Sequence, residues 1–159
     1  VGVEVDNAHV IPLIDIGEYD NVHPVDKRTP GERLGNYTLM EVYGINGIDA
    51  NPMTIAFAHC ENGAIGLKFN NTLGGFKVNV AAQGKEIELA DYDGQSITGF
   101  RICGDDGVYY DADVVIEGEN VILTSDKVHN PVHSSYGWLS YICCNLYNKA
   151  GMPLMPYQE

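Results

Sequence analysis

After residue 44 the sequence consists of short apolar runs separated by turn residues, and this spacing constrains the fold more than any other feature. The runs are rich in β-branched and aromatic residues, and clusters of Gly, Asn and Asp lie between them, which is typical of strands joined by tight turns. About nine runs of this kind predict a compact antiparallel β-sandwich. They read MTIAFAH, AIGLKF, FKVNV, EIELA, ITGFRIC, VVIEG, NVILTS, VHSSYGW and YICCNLY.

The first 44 residues have a different pattern. Residues 10–16, VIPLIDI, are almost continuously apolar, as in a strand that is covered on both faces. Pro12 favours a position at the start of the strand or at a sheet edge, because proline cannot donate to a ladder. A loop over residues 17–28 follows.

A helix is predicted after this loop. Thr29 and Glu32 fit the capping-box pattern, in which the Thr side chain and the Glu side chain each bond the other's backbone N–H, and Pro30 suits the first helical position. Apolar residues such as Leu34 recur at helical spacing, and Gly44 is a plausible end. Residues 1–44 are therefore predicted as strand, loop and helix.

One strand and one helix cannot bury their own apolar surface, because the strand needs neighbours in a sheet. We therefore expect two domains. Residues 1–44 are predicted to be the last part of an α/β domain, and residues 45–159 a β-sandwich domain. The chain begins at Val1 without an initiator Met, which favours an end made by proteolysis or by truncation of a longer chain.

Charge and composition limit the partners and the compartment. The formal net charge of −13 disfavours attraction to nucleic acid and to anionic membrane surfaces. No apolar run approaches the roughly 20 residues of a membrane span. The adjacent Cys143 and Cys144 are poorly placed for a mutual disulfide, and free thiols lean towards a reducing, cytoplasmic compartment, while a secreted or periplasmic location stays open.

The predicted loop carries an acid and an imidazole three residues apart, Asp20 and His23. A carboxylate that bonds a His fixes its tautomer and stabilises the imidazolium, which suits a general base that activates a serine hydroxyl. The i to i+3 spacing can bring the two groups together in a loop, and Pro24 restricts His23. The bland alternative is that Asp20 caps a turn and that His23 lies on the loop surface. On these residues alone the alternative is favoured.

The flanking residues change this balance. LIDIGEYDNVHPVDKRTPGERLG resembles the final catalytic block of the SGNH (GDSL-like) serine esterases, specifically the sialate O-acetylesterase family: an apolar strand, D-x-G-E, an acid, x-x-His-Pro, and G-x-R-L on a helix. ITGFRICGDDG and NLYNKAGMP are similar to the G-F-x-I-x-G-x-D-G core and N-L-Y-N-x-x-G-x-P ending of the same family's β-rich region. The resemblance covers nearly the whole chain.

This resemblance implies a carbohydrate esterase that removes O-acetyl groups from sialic acid or related acetylated sugars, with no cofactor and no metal. It assigns His23 as the catalytic base and Asp20 as the acid that orients it. The family's serine lies in an upstream G-D-S-type motif that this sequence lacks, so the partner is expected to be the N-terminal part of the same esterase, and this chain alone is expected to be inactive. The chain's own serines lack a Gly-rich elbow. They are Ser96, Ser125, Ser134, Ser135 and Ser140.

Other candidate sites favour structural roles. His129 and His133 lack further ligands at metal-binding spacing. His59-Cys60 and Cys143-Cys144 lie in apolar runs, where a thiol behaves as a small hydrophobe. Trp138 could form an aromatic platform for sugar together with Tyr136 and Tyr141, but a lone Trp in a strand is more often in the core. The alternative function is a non-catalytic carbohydrate-binding or structural β-sandwich module, which would have no need of Asp20 with His23.

Overall fold

The computed structural model describes residues 7–82 and 85–159, and this part of the chain contains one helix and eleven strands. No helix in these residues is long and apolar enough to cross a membrane. The elements are α1 (Arg28–Glu41), β1 (Thr54–Glu61), β2 (Ala64–Asn70), β3 (Phe76–Asn79), β4 (Leu89–Asp91), β5 (Phe100–Cys103), β6 (Tyr110–Asp111), β7 (Asp113–Glu117), β8 (Asn120–Thr124), β9 (His133–Tyr136), β10 (Leu146–Asn148) and β11 (Tyr157–Gln158).

The strands form three sheets with the orders β1-β2-β8-β7, β10-β3-β4 and β11-β9-β5-β6. All pairings between these strands are antiparallel. The prediction of a β-rich, antiparallel, sandwich-like region is confirmed, although the strands divide into three sheets and not two. Each predicted run overlaps one strand. The two-residue strands β6 and β11 fell outside the predicted runs, because they are too short to give an alternating pattern.

The core lies where the three sheets meet. In β8, Val121 and Leu123 are buried while the flanking residues at both ends are exposed, which is the alternation expected of a sheet with one covered face. Aromatic rings connect the sheets, since Phe69 of β2 contacts Phe76 of β3 and Phe100 of β5. The ring centroids of Phe100 and Tyr136 of β9 are 4.5 Å apart. Such ring pairs stabilise a core beyond their area burial.

The strand predicted over residues 10–16 is not formed among the described residues. These residues form no ladder, and the Ile16 N–H donates instead to the Leu13 carbonyl in a turn. A strand exists only through hydrogen bonds to a neighbouring strand, and none of the described residues supplies one here. Of the strand, loop and helix predicted for residues 1–44, the described residues therefore show the loop and the helix, and the α/β domain stays a prediction.

The predicted helix is confirmed, but its start is organised differently. The Asp26 carboxylate, and not Thr29, accepts the free N–H groups of the first turn, those of Arg28 (3.0 Å) and Thr29 (2.9 Å). The predicted capping box is therefore wrong, and Glu32 pairs instead with the Arg28 side chain at 2.6 Å. At the other end the prediction is confirmed, since the helix stops before Gly44, which adopts a left-handed φ of 65°.

Gly99, directly before β5, occupies a position that only glycine suits. Its φ is 103°, and a Cβ there would lie 2.8 Å from Cys144 Sγ and 2.9 Å from Tyr136 Cε2, both in buried side chains. We expect Gly99→Ala to lower the free energy of unfolding by about 3 kcal/mol, because backbone strain adds to overpacking. Urea denaturation measures this change.

Gly94→Ala is the matched control. Gly94 also has a positive φ, 84°, but its Cβ would meet no atom within 4 Å. This variant carries only the backbone strain, about 1 kcal/mol. Equal losses in the two variants would contradict the packing role of Gly99.

Candidate functional site

The loop over residues 17–27 is shaped by hydrogen bonds from its own side chains. The Glu18 carboxylate accepts from the Val25 N–H (2.7 Å) and from Asn21 Nδ2 (3.1 Å). The Asn21 side-chain oxygen accepts from the His23 N–H at 3.0 Å. The bond from Val25, followed by that from Asn21, lowers the pKa of Glu18, so this carboxyl stays ionised as the acceptor around which the loop folds.

Asp20 and His23 lie on the outside of this loop, and both are exposed. Among the described residues, no hydrogen bond joins the His23 imidazole to Asp20 or to a serine. The structure thus brings the two residues onto one loop but does not pair their side chains. Their assignment as catalytic base and orienting acid stays a prediction.

The strongest polar interaction near the loop is a pair that sequence reasoning did not single out, Asp15 with Arg33. Arg33 Nη1 and Nη2 reach the two Asp15 carboxylate oxygens at 2.7 and 2.5 Å, and Nη1 also donates to the Pro12 carbonyl at 3.0 Å. Both side chains are almost fully buried. Burial opposes the Arg33 charge, but the hydrogen bond and the charge of Asp15 outweigh it and leave the pKa of the guanidinium raised.

Tyr147 of β10 completes this group, and its hydroxyl donates to Asp15 Oδ2 at 2.8 Å. Tyr147 is fully buried. Burial raises the pKa of its phenol, and the neighbouring Asp15 charge raises it further, so the hydroxyl keeps its proton and acts as a donor. Asp15, Arg33 and Tyr147, called here the buried triad, join the start of the loop, the helix that follows it and the β-sheets.

A signal for the buried triad was present in the sequence. Asp15 interrupts an apolar run, and a charge in an otherwise buried segment requires a partner. Asp15 is also the first residue of the D-x-G-E motif, and Arg33 belongs to G-x-R-L. The sequence does not show which residues pair with Asp15, because Arg33 and Tyr147 lie 18 and 132 residues away from it.

A groove of about 570 Å³ lies beside the base of the loop. Acidic and basic side chains line it together, and neither Asp20 nor His23 is among its lining residues. These are Asp15, Ile16, Gly17, Glu18, Val25, Asp26, Arg28, Thr29, Glu32, Lys85, Glu86 and Ile87.

The metal candidates of the sequence are not assembled into a site. No group of three His, Cys, Asp or Glu side chains in residues 7–82 and 85–159 is arranged to hold a metal ion. All four cysteines are free, and Cys143 and Cys144 precede β10 and do not lie in a strand, contrary to the prediction. Burial raises the pKa of Cys144 to about 12, so this thiol stays protonated.

The expectation that Trp138 lies in the core is wrong, because this side chain is exposed. It lies in the irregular segment after β9, and 54% of its surface is accessible. With Leu139 and Pro156 it lines a shallow hollow. Nearby in sequence, the Tyr141 ring meets the ring of Tyr19, on the loop, edge to face at 5.3 Å.

One comparison connects this chain to a protein of known activity. The structure is similar to the crystal structure of XAC1771, a carbohydrate acetylesterase from Xanthomonas citri, with a TM-score of 0.77 and 29% sequence identity. The similarity covers 92% of this chain but only 31% of XAC1771, so the chain spans about a third of that protein's length. No protein-family model matches the sequence, and no significant match was found among curated proteins.

The buried pair of Asp15 and Arg33 predicts that substitution of Arg33 lowers stability much more than substitution of Arg28, the other arginine of α1. Arg33→Ala leaves the Asp15 charge buried without its cation, and we expect a loss of about 3 kcal/mol in the free energy of unfolding. Arg28→Ala, the matched control, removes an exposed pair with Glu32 from the same helix and should leave stability unchanged within error. Chemical denaturation of both variants measures the difference, and a similar small effect for both would contradict the role given to Arg33.

Proposed function

We propose that this chain is the C-terminal part of an SGNH-type carbohydrate esterase that removes O-acetyl groups from sialic acid or related acetylated sugars. The observation that carries the proposal is the similarity of 92% of the chain to a carbohydrate acetylesterase. The D-x-x-H-P sequence on the loop, between the two residues of a buried charge pair, is the feature that a hydrolase needs and that a purely structural β-region does not.

In this mechanism His23 takes the proton from a serine hydroxyl as the serine oxygen attacks the acetyl carbonyl. Asp20 accepts a hydrogen bond from the other ring nitrogen and stabilises the imidazolium that forms. The imidazolium then returns the proton to the departing sugar oxygen, which leaves an acetyl-serine. A water molecule, deprotonated by His23, then attacks the acetyl carbonyl; the bond to serine breaks, acetate leaves, and the imidazolium returns its proton to the serine oxygen.

The serine is proposed to lie on polypeptide outside residues 1–159. The length of XAC1771, about three times that of the matched region, is consistent with a larger enzyme. Apolar side chains on α1 support a missing partner as well: Leu34 is 60% exposed and Tyr43, just beyond the helix, 70% exposed, while Arg33 is the one buried side chain of α1. We propose that the serine-bearing segment covers this surface and pairs with residues 10–16 as a sheet neighbour.

Docking of that segment would also bring the catalytic pair together. Asp20 and His23 are exposed and carry no mutual hydrogen bond in this chain, so both side chains are free to turn towards a serine. Hydrogen bonds of catalytic groups are often long or absent before the site is complete. Residues 1–44 then belong to the α/β hydrolase domain, and residues 45–159 form the β-sandwich domain.

The proposal predicts that His23→Ala in the assembled enzyme lowers kcat/KM for an acetyl ester such as p-nitrophenyl acetate by about 10³-fold or more, because the general base is lost. The thermal midpoint should not change, since an exposed histidine contributes little packing. His129→Ala, which removes another exposed histidine, is the matched control and should keep full activity. Equal activity of both variants would overturn the assignment of His23.

Isolated residues 1–159 test the location of the serine. They should show no hydrolysis above background, and adding the serine-bearing segment should restore it. Turnover by the isolated chain at the rate of the assembled enzyme would refute a serine on other polypeptide.

The second candidate function is a non-catalytic carbohydrate-binding module, and the exposed Trp138 beside a shallow hollow favours it. Aromatic faces stack on the apolar faces of sugar rings. Under this function, Trp138→Ala would abolish binding of acetylated sugar while His23→Ala would change neither binding nor hydrolysis. Loss of turnover in His23→Ala with binding intact favours the esterase.

A further inference from the structure

We infer that Tyr147 is a positioning residue for the proposed catalytic loop, so that the β-sheets are a working part of the esterase and not an appended module. The inference rests on the proposed function for its kinetic consequence. Tyr147 touches neither Asp20 nor His23 in the structure. It acts through Asp15 and Arg33, which hold the two ends of the loop.

The buried triad closes the base of the loop. Asp15 lies two residues before the loop begins at Gly17, and Arg33 lies on the helix that follows it. The two hydrogen bonds of the charge pair therefore join both ends of the segment that carries Asp20 and His23. A planar guanidinium bound to both carboxylate oxygens fixes orientation as well as distance.

Arg33 also makes a hydrogen bond outside its pair with Asp15. Its third hydrogen bond, to the Pro12 carbonyl, fixes the backbone before Asp15. Inside the loop, Glu18 binds Asn21 and Val25, so the backbone between the two ends is held as well. Displacement of Asp15 would accordingly move the backbone on which His23 sits.

Tyr147 links the Asp15–Arg33 pair to β10, a strand whose position is held by its own contacts. Its neighbours Leu146 and Asn148 are fully buried, and β10 pairs with β3 through all three residues. The Asn148 side chain donates to the carbonyls of Asn51 and Asn71 and accepts from the Met152 N–H. With its backbone held in this way, the Tyr147 hydroxyl presents a donor to Asp15 from a position that the loop cannot change.

A second contact between loop and sheets lies nearer the proposed catalytic residues. Tyr19, next to Asp20, packs edge to face against Tyr141, which precedes β10 in the sequence. This contact is at the surface and is weaker than the triad. It places the same β-region against both the base and the outer part of the loop.

Two phenol-to-phenyl substitutions test the inference in the assembled enzyme. Tyr147→Phe removes only the hydroxyl that binds Asp15. Tyr157→Phe, the matched control, removes a hydroxyl that bonds Ser134 Oγ at 3.1 Å between β11 and β9. Each variant is measured for kcat and KM on p-nitrophenyl acetate and for hydrogen–deuterium exchange over residues 13–27.

We expect Tyr147→Phe to lower kcat by about 10- to 100-fold with little change in KM, because a misplaced base slows the chemical step more than substrate binding. Exchange over residues 13–27 should accelerate by about fivefold or more, and Tyr157→Phe should change neither quantity. Identical behaviour of the two variants in both measurements overturns the inference.

The exchange measurement separates this inference from the proposed function. If the wild-type protein hydrolyses no acetyl ester, the esterase proposal fails, while faster loop exchange in Tyr147→Phe alone still supports the link between sheet and loop. If Tyr147→Phe does not fold, Arg33→Lys replaces it, because lysine keeps the charge but cannot bind both carboxylate oxygens. Unchanged exchange over residues 13–27 in a folded Arg33→Lys variant overturns the inference as well.

Discussion

The charge pair between Arg33 and Asp15 is the interaction on which the arrangement of this chain depends. Removing two charges from water is costly, and the cost is offset only where geometry and additional hydrogen bonds are good. Here the guanidinium contacts both carboxylate oxygens and a backbone carbonyl, and a tyrosine hydroxyl donates to the same carboxylate. Arg33 is the buried side chain of α1, whereas the apolar Leu34 and Leu39 are exposed, so this pair is the main attachment of the helix to the rest of the chain.

The sequence NLYN near the end of the chain has a physical explanation in these contacts. Asn145 binds the Ser96 carbonyl and the Thr98 N–H, and Asn148 binds three backbone groups. Between them, Leu146 enters the core and Tyr147 reaches Asp15. These four consecutive residues therefore connect the surrounding loops, the hydrophobic core and the segment that carries Asp15. A buried polar side chain such as that of Asn148 is stable only when it is hydrogen-bonded, and Asn148 meets this requirement with three bonds.

The sequence was sufficient for the β-rich region, because alternation in runs such as NVILTS is a local property that packing preserves. It was insufficient where structure depends on a partner. Residues 10–16 have strand composition, but none of the residues that the structure describes forms a strand beside them. Asp26 replaces Thr29 as the helix cap because its carboxylate reaches the first N–H groups. Trp138 is a residue type that is usually buried, but it lies exposed in an irregular segment after β9. The candidate loop was found from Asp20 and His23, whereas the residues that hold it were missed, since their pairing spans most of the chain.

These observations together describe a β-sheet scaffold that holds one loop carrying an acid and a histidine. We propose that the serine they would act with lies on other polypeptide. Labelling the purified protein with a fluorophosphonate, followed by peptide mapping, tests this claim most directly, because the reagent modifies serines activated by a neighbouring base. The account predicts a modified serine in a peptide outside residues 1–159. Modification of any of the chain's own serines, or of none in a protein that hydrolyses acetyl esters, would contradict it.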